Sequence, residues 1–563
     1  MLVLWQLETG LRQHLPHLSA AIQSILVSPS GSSYGIRLSD NSAMILSTSE
    51  LQPTFSISGI QLPATRRRNM HIPNLPTVDI PFENAVVKLS AQVPATVTPS
   101  GASRLLLAVP ATASPNASSH ACYLQTIDVA SGQQIGRQAL TRTNVTSLNI
   151  GPESNKIAEP SVTHLDISSD GQWLATVDEW EPPGRDVGHL AYDDERIGAE
   201  RRLHLEVYLK LWSWDEASST WELVSRIDNP HATPSGLPRR VIALASDPSG
   251  LGFATFGEDL TVRAWKPTVR KRHDLAVRAA DGSILTTWIC RQVSRIPVQA
   301  GQVGRLGYSV DGSVLFAALE SFSRPSIHLI DNGSGEVRSS PTNLCDGPLF
   351  GLGILDKYLI ILSDDLRVWD MVSEELHFGF SFDATGLNLR QRRSATHLAI
   401  NHRHNSFAVA VPVSHSRSAS RVAILEPGKP TPLFTTDLPC TMQSLLPAGG
   451  RIGYYFIDTA AEIRTVTPRQ NTPTSNVMLL NDHEGMGKGI TNIYGNGKAN
   501  NEGEHAAMQE LSTLQIRPVD SRDGDVKVVK QEQLAEVFEA GSATNLPPVV
   551  DLFERVAILF AGR

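Results

Sequence analysis

Residues 366–376 read LRVWDMVSEEL. Leu366 and Val368 flank Arg367, and Trp369 and Asp370 then lead toward the polar Ser373, Glu374 and Glu375. Alternation of period two marks a β-strand, and the expectation is that apolar residues two and four positions before a late tryptophan share one face with it. Related stretches stand elsewhere: LVLWQLETG at residues 2–10, LKLWSWD at 209–215, TVRAWKP at 261–267 and SIHLIDNGSGE at 326–336. Each carries a tryptophan or an apolar substitute late, before a polar turn. A strand that recurs in this way belongs to a repeated unit.

A second signature recurs with it. SPSG ends at Gly31, TPSG at Gly101, SSDG at Gly171, DPSG at Gly250 and SVDG at Gly312, with gaps of 70, 70, 79 and 62 residues. Each turn follows one apolar run and precedes another, such as SYGIRL, GFATF or VLFAAL. Glycine supplies the positive φ of a tight turn, and Asp or Ser fixes it through the side chain. The element is a β-hairpin. A hairpin, a third strand and a Trp-bearing fourth strand make a four-stranded antiparallel unit. Such units, repeated at roughly 40–60 residues, mark a WD-type β-propeller.

The expected fold class is therefore all-β. Residues 1–65 read as the last blades of one propeller whose first strands are missing. A Pro-rich linker follows at 66–81. Residues 82–468 read as a complete second ring of about seven blades, near 82–150, 161–228, 238–298, 301–341, 345–382, 395–437 and 440–468. The tryptophans are expected to pack between blades and carry no chemistry.

The chain has 563 residues, 41% of them apolar and 19% charged, with a net charge of −8. That composition supports a large core and argues against global disorder. The acidic balance excludes nucleic-acid binding by bulk electrostatics. Two local basic runs, Arg66-Arg67-Arg68 and Arg270-Lys271-Arg272-His273, read as solvated loop charge. Cys122, Cys290, Cys345 and Cys440 are far apart, which speaks against a metal site or a disulfide framework and for a reducing compartment. No apolar run reaches the ~18 residues that a spanning helix needs.

Two stretches break the spacing. EPPGRDVGHLAYDDERIGAERR, residues 181–202, is long, acidic and Pro-containing, and is expected to project from the ring. SHSRSASR, residues 414–421, reads as a solvated loop, with RNA contact or phosphorylation as the alternative.

Beyond Pro468, residues 469–530 are rich in Asn, Gly and charge and read as a flexible linker. GMGKG within it fails as a phosphate loop, because Asp482 and Gly489 stand where Gly and Ser/Thr are required. Residues 531–563 read as helical. Leu534, Val537 and Phe538 form one apolar stripe, and Leu552, Phe553, Val556, Leu559 and Phe560 a stronger one after Pro547-Pro548. A short helix this apolar is marginal alone, so it either folds back on the ring or docks in a partner's groove.

Catalytic motifs are absent from the sequence. His402 and His404 lack a third ligand nearby, no Gly-x-Ser-x-Gly elbow or His-Glu-x-x-His occurs, and Asp193-Asp194 lies in the acidic loop. No cofactor, metal or small-molecule substrate is expected, and the chain reads as a scaffold, not an enzyme. A propeller hydrolase would need a cluster of perturbed ionisable groups in the central channel.

Three stretches carry a family resemblance: residues 3–46, DLTVRAWKP at 259–267 with LTTWICRQVSRIP at 285–297, and LAEVFEAGSATNLPPVVDLFERVAIL at 534–559. They resemble a fungal nucleolar family of tandem WD-repeat propellers. That family is a subunit of the UtpA, or transcription-coupled, group of the small-subunit processome. The resemblance implies a non-catalytic scaffold in the nucleus and nucleolus. It implies partners among propeller and helical processome subunits, and pre-rRNA bound directly or indirectly, with no membrane. It implies support of early processing toward the small-subunit rRNA and of RNA polymerase I transcription. A WD-repeat scaffold of ubiquitin ligation or trafficking is the alternative.

Overall fold

The computed structural model describes most of residues 2–62 and 93–468, with Leu511 and Ser512; 63–92, 469–510, 513–563 and several shorter loops lie outside it. Eight four-stranded sheets stand among the described residues, each an antiparallel meander. Seven form a ring. Blade 1 spans residues 95–139, blade 2 161–228, blade 3 241–295, blade 4 303–339, blade 5 351–381 and blade 6 397–438. Blade 7 spans 442–468 and takes its outer strand, Leu511–Ser512, from beyond Pro468, where Thr467 pairs with Ser512. The segment read from sequence as a linker thus supplies a strand.

Both faces of each blade meet a neighbour, so the second strands are largely buried and apolar instead of alternating. Phe253–Gly257 and Ser406–Pro412 are buried at every position. One apolar cluster fills each junction. Leu106 and Trp212 share the cluster of blades 1 and 2. Val207 and Trp265 share that of blades 2 and 3, and Phe256 and Leu315 that of blades 3 and 4. Phe316 and Ile361 join blades 4 and 5, Val368 and Phe407 join 5 and 6, and Val422 and Phe456 join 6 and 7. The seventh cluster joins Leu105, Leu107 and Val109 of blade 1 to Tyr455 and Ile457 of blade 7. The ring is closed. The fold is a WD-type β-propeller.

Polar ties reinforce the inner strands. Asp166 accepts the Ser246 amide at 2.7 Å, from blade 2 to blade 3. Arg305 of blade 4 donates twice to the Phe350 carbonyl, at 3.1 and 2.8 Å. His397 of blade 6 donates through Nε2 to the Met442 carbonyl of blade 7 at 3.0 Å. Burial holds the His397 ring at a pKa of about 4, so the neutral form makes that bond.

Two details correct the expected unit. The Trp-bearing strand is third in its sheet: Trp212, Trp265 and Trp369 lie on Glu206–Asp215, Thr261–Val269 and Asp365–Asp370, each followed by an outer strand. Nor does the tryptophan share a face with its apolar neighbours. Trp369 packs toward blade 4, whereas Leu366 and Val368 pack toward blade 6. Their separations of three and one are odd, and odd separations fall on opposite faces of a strand. The turn glycines Gly31, Gly171 and Gly312 do adopt positive φ, of 69°, 74° and 70°. Gly250 does not, and Gly101 lies outside the described residues.

Blade 3 contains a buried hydrogen-bond chain. His231 Nδ1 donates to Asp259 at 2.8 Å, Thr255 donates to His231 Nε2 at 2.8 Å, and the Trp265 indole donates to Thr255 at 2.9 Å. Burial pushes Asp259 upward, but the bonds from His231 and Thr261 win and hold it at about 2. Burial lowers His231. Blade 2 keeps only the last link, Trp212 to Thr176 at 3.0 Å, and pairs Asp178 with Lys210 at 2.9 Å.

The eighth sheet, residues 22–58, has a small core of Ile36, Leu38 and Leu46. The segment that leaves its last strand, residues 59–62, is fixed at the junction of blades 7 and 1. Ile60 and Leu62 enter the closing cluster. Gln125, itself buried, donates to the Gly59 carbonyl at 2.8 Å and accepts from the Gln61 amide at 3.0 Å. Leu2–Trp5 and Arg12–Leu15 form a separate two-stranded sheet.

The blade 3 chain depends on Gly257, where a Cβ would stand 2.3 Å from the His231 ring. Gly257→Ala should therefore lower the unfolding free energy by about 3 kcal/mol, since overpacking displaces the histidine and breaks the chain. Gly428→Ala, at an exposed site with nothing within 4 Å, should change it by less than about 0.5 kcal/mol. Chemical denaturation of both variants checks this; equal effects would contradict it.

Candidate interaction surfaces

The acidic insertion of blade 2 is helical. Gly184–Val187 forms a short helix and Asp194–Leu203 a longer one, between the second and third strands. Arg201 fastens it to the blade, donating to the Pro182 carbonyl at 2.8 Å and pairing with Glu181 at 3.3 Å. Trp180 Nε1 donates to the Ala158 carbonyl at 2.9 Å.

A cleft of about 390 Å³ opens beside the insertion. Glu159, Glu179 and Glu181 line it with Arg201, Arg240 and Trp180. Arg240 bridges Glu179 at 3.3 Å and Glu181 at 2.9 Å. Burial pushes Glu179 up to about 7, against the pull of Arg240, and repulsion from Glu258 and Glu181 adds to the rise. Its carboxyl therefore changes charge near neutral pH.

The basic run of residues 270–273 also belongs to a built element. The last two strands of blade 3, Thr261–Val269 and Thr286–Arg295, extend into a further hairpin, in which Lys271 pairs with Ala276 and Arg272 with Leu275. Arg270 donates its amide to Leu285 at 2.8 Å and accepts that of Val277 at 2.8 Å. His273 and Asp274 make the turn with φ of 51° and 62°, a left-handed pair usually supplied by Asn-Gly. Lys271, Arg272 and Leu275 are exposed.

No family model matches the chain. Over 444 residues, 76% of the chain, it is 26% identical to U3 small nucleolar RNA-associated protein 17 of Schizosaccharomyces pombe, of which it covers 48%. It is 23% identical over 444 residues to WD repeat-containing protein 75 of Xenopus laevis, covering 42% of that protein. Over 248 residues it is 24% identical to NET1-associated nuclear protein 1 of Saccharomyces cerevisiae, covering 26% of it. The chain thus spans about half the length of these curated relatives, or less. Among solved structures, a chain of the mitotic checkpoint complex covers 69% of this one at a TM-score of 0.38 and 10% identity. Sqt1 of Saccharomyces cerevisiae covers 66% at 0.39 and 10%.

The sequence-based site residues Leu534, Val537, Phe538, Leu552, Phe553, Val556, Leu559 and Phe560 all lie outside the described residues. His402 and His404 bracket a single turn of 3-10 helix between the first two strands of blade 6. No group of three His, Cys, Asp or Glu among the described residues could hold a metal ion. Most of SHSRSASR also lies outside; its Arg421 pairs with Asp437 through two bonds of 2.7 and 2.8 Å. The sequence reading passed over Glu179 and Arg240. They stand 61 residues apart, and no local signal joins them.

A carboxyl whose pKa is raised in the folded state stabilises it below the unfolded value and loses that contribution as pH rises through the folded one. For Glu179 this window runs from 4.5 to about 7. Glu179→Gln should gain about 2 kcal/mol on the parent between about pH 5 and about pH 8. Denaturation of both proteins across that range is the check; a pH-independent difference would contradict it.

Proposed function

We propose that this chain is a non-catalytic scaffold of ribosome biogenesis that works in the nucleolus. The observation that carries this reading is the similarity over three quarters of the chain to a protein named for association with U3 small nucleolar RNA. A second relative is named as nuclear. The closed ring supports a scaffold role, since a propeller offers a rigid body with many separate loops and outer edges. Inner-strand Asp166, Arg305 and His397 are spent on backbone groups of adjacent blades, which favours structure over chemistry there.

In its finer form, the chain is a subunit of the UtpA group of the small-subunit processome. It supports early pre-rRNA processing toward the small-subunit rRNA and transcription by RNA polymerase I. Its partners are other propeller and helical subunits, with pre-rRNA contacted directly or through them. The mechanism is multivalent docking, in which several weak contacts on one rigid body act together. Residues 531–563 supply one of these contacts, with the Leu534–Val537–Phe538 and Leu552–Phe553–Val556–Leu559–Phe560 stripes entering partner grooves.

Affinity purification of the full chain tests the reading. Processome subunits and pre-rRNA should co-purify; cullin adaptors or coat proteins in their place would overturn it. Removing residues 531–563 should reduce recovery of the large assembly at least about tenfold while the ring keeps its melting temperature. Unchanged recovery would remove the docking role from that segment.

A further inference from the structure

We propose that the outer edge of blade 3 and its hairpin arm form a docking surface for an extended acidic protein segment, which adds a strand to Thr286–Arg295. Charge is the first ground. Residues 261–295 hold eight Lys and Arg against two Asp, a net charge of +6 in a chain of net −8. Arg263 is neutralised by Asp259 at 3.0 Å, and Lys266 lies 4.0 Å from Asp247. Arg270, Lys271, Arg272, Arg278, Arg291 and Arg295 have no ion pair among the described residues. Elsewhere on this acidic ring many arginines are paired, as Arg226 is with Asp228, Arg338 with Asp331 and Arg421 with Asp437. These six unpaired cations of the arm and outer strand face only Asp274 and Asp281 in residues 270–295, and the excess of four positive charges asks for a polyanion.

The second ground separates a protein partner from a nucleic acid. Cations on this arm alternate with exposed aliphatic side chains. Val293 and Arg295 share one face of the outer strand, and Val293 is 54% exposed; Ile289, also exposed, lies beyond the bulge at Arg291 and on the other face. On the arm, Leu275 is 75% exposed beside Arg272. The tryptophans of the region, Trp265 and Trp288, are buried. Single-stranded nucleic acid is held on exposed aromatic faces, which this surface lacks, and a duplex gains nothing from isoleucine, valine or leucine. A peptide that alternates acidic and aliphatic residues matches both sets.

The third ground is the edge. Thr286–Arg295, at ten residues, is the longest outer strand of the ring among the described residues. An outer strand presents unpaired backbone groups along its free side, and strand addition is the usual way a peptide takes them up. Arginines there discourage pairing with a second basic copy while admitting an acidic strand.

The test is a photocrosslink in the full chain, within its native assembly. A photoreactive phenylalanine analogue at position 293 should crosslink to a protein segment in which Asp and Glu make up at least about one third of the residues. Lys271→Glu, Arg272→Glu, Arg291→Glu and Arg295→Glu combined should cut the yield at least about tenfold. The same four positions as lysine should retain it, and the melting temperature should hold in both. Crosslinks to RNA, crosslinks to a segment without acidic excess, no crosslink, or yield indifferent to charge reversal would each overturn the proposal. Because the readout is the chemistry of the crosslinked segment, it does not depend on a role in ribosome assembly.

Discussion

The fold depends on one contact between distant parts of the chain: the apolar seam between blades 7 and 1. Leu105, Leu107 and Val109 meet Tyr455 and Ile457 there, with more than 300 residues of chain between them. Every other junction joins blades adjacent in sequence, so its loop-closure entropy is small. The seam alone must offset the closing of the whole ring. It does so with completely buried aliphatics, each worth about 1.5–3 kcal/mol when removed from water. The Gly59–Leu62 exit of the first sheet adds to the same seam, with two bonds to buried Gln125. Without it, blades 1 and 7 would each expose an apolar face to water.

A closed ring leaves variation to its rim. The blade 2 helices and the blade 3 arm leave from strand ends, where insertion does not disturb the junction clusters. Their chemistry differs accordingly. The cleft beside the insertion holds Glu179, a carboxyl that burial keeps partly neutral, and the arm presents unpaired cations among aliphatics. Two surfaces of opposite character on one rigid body suit a protein that holds several partners at fixed relative positions.

The propeller was legible because its signals are local. A turn glycine and the alternating residues around it lie within one hairpin, and their side-chain chemistry needs no distant partner. Placing the tryptophan was harder, since third and fourth strands share the same periodicity and only pairing tells them apart. The hydrogen-bond chain of blade 3 joins His231 to Asp259 across 28 residues. Asp259, Thr261 and Trp265 at spacings of two and four were its only local trace. Strand Leu511–Ser512 was hidden for a similar reason: its partner ends at Pro468, and two residues carry no periodicity. Lys271 and Arg272 read as loop charge because nothing in the run itself shows that flanking strands extend through it. The apolar stripes at 534–560 lie outside the described residues and gain nothing from the structure.

Closure of the ring is measured most directly by a double-mutant cycle across the seam. Leu107→Ala in blade 1 and Ile457→Ala in blade 7 share one cluster although they lie 350 residues apart. A closed ring predicts a coupling energy of about 0.5–3 kcal/mol between them in chemical denaturation. Simple additivity of the two losses would mean that blades 1 and 7 do not meet, and the closed ring would be wrong.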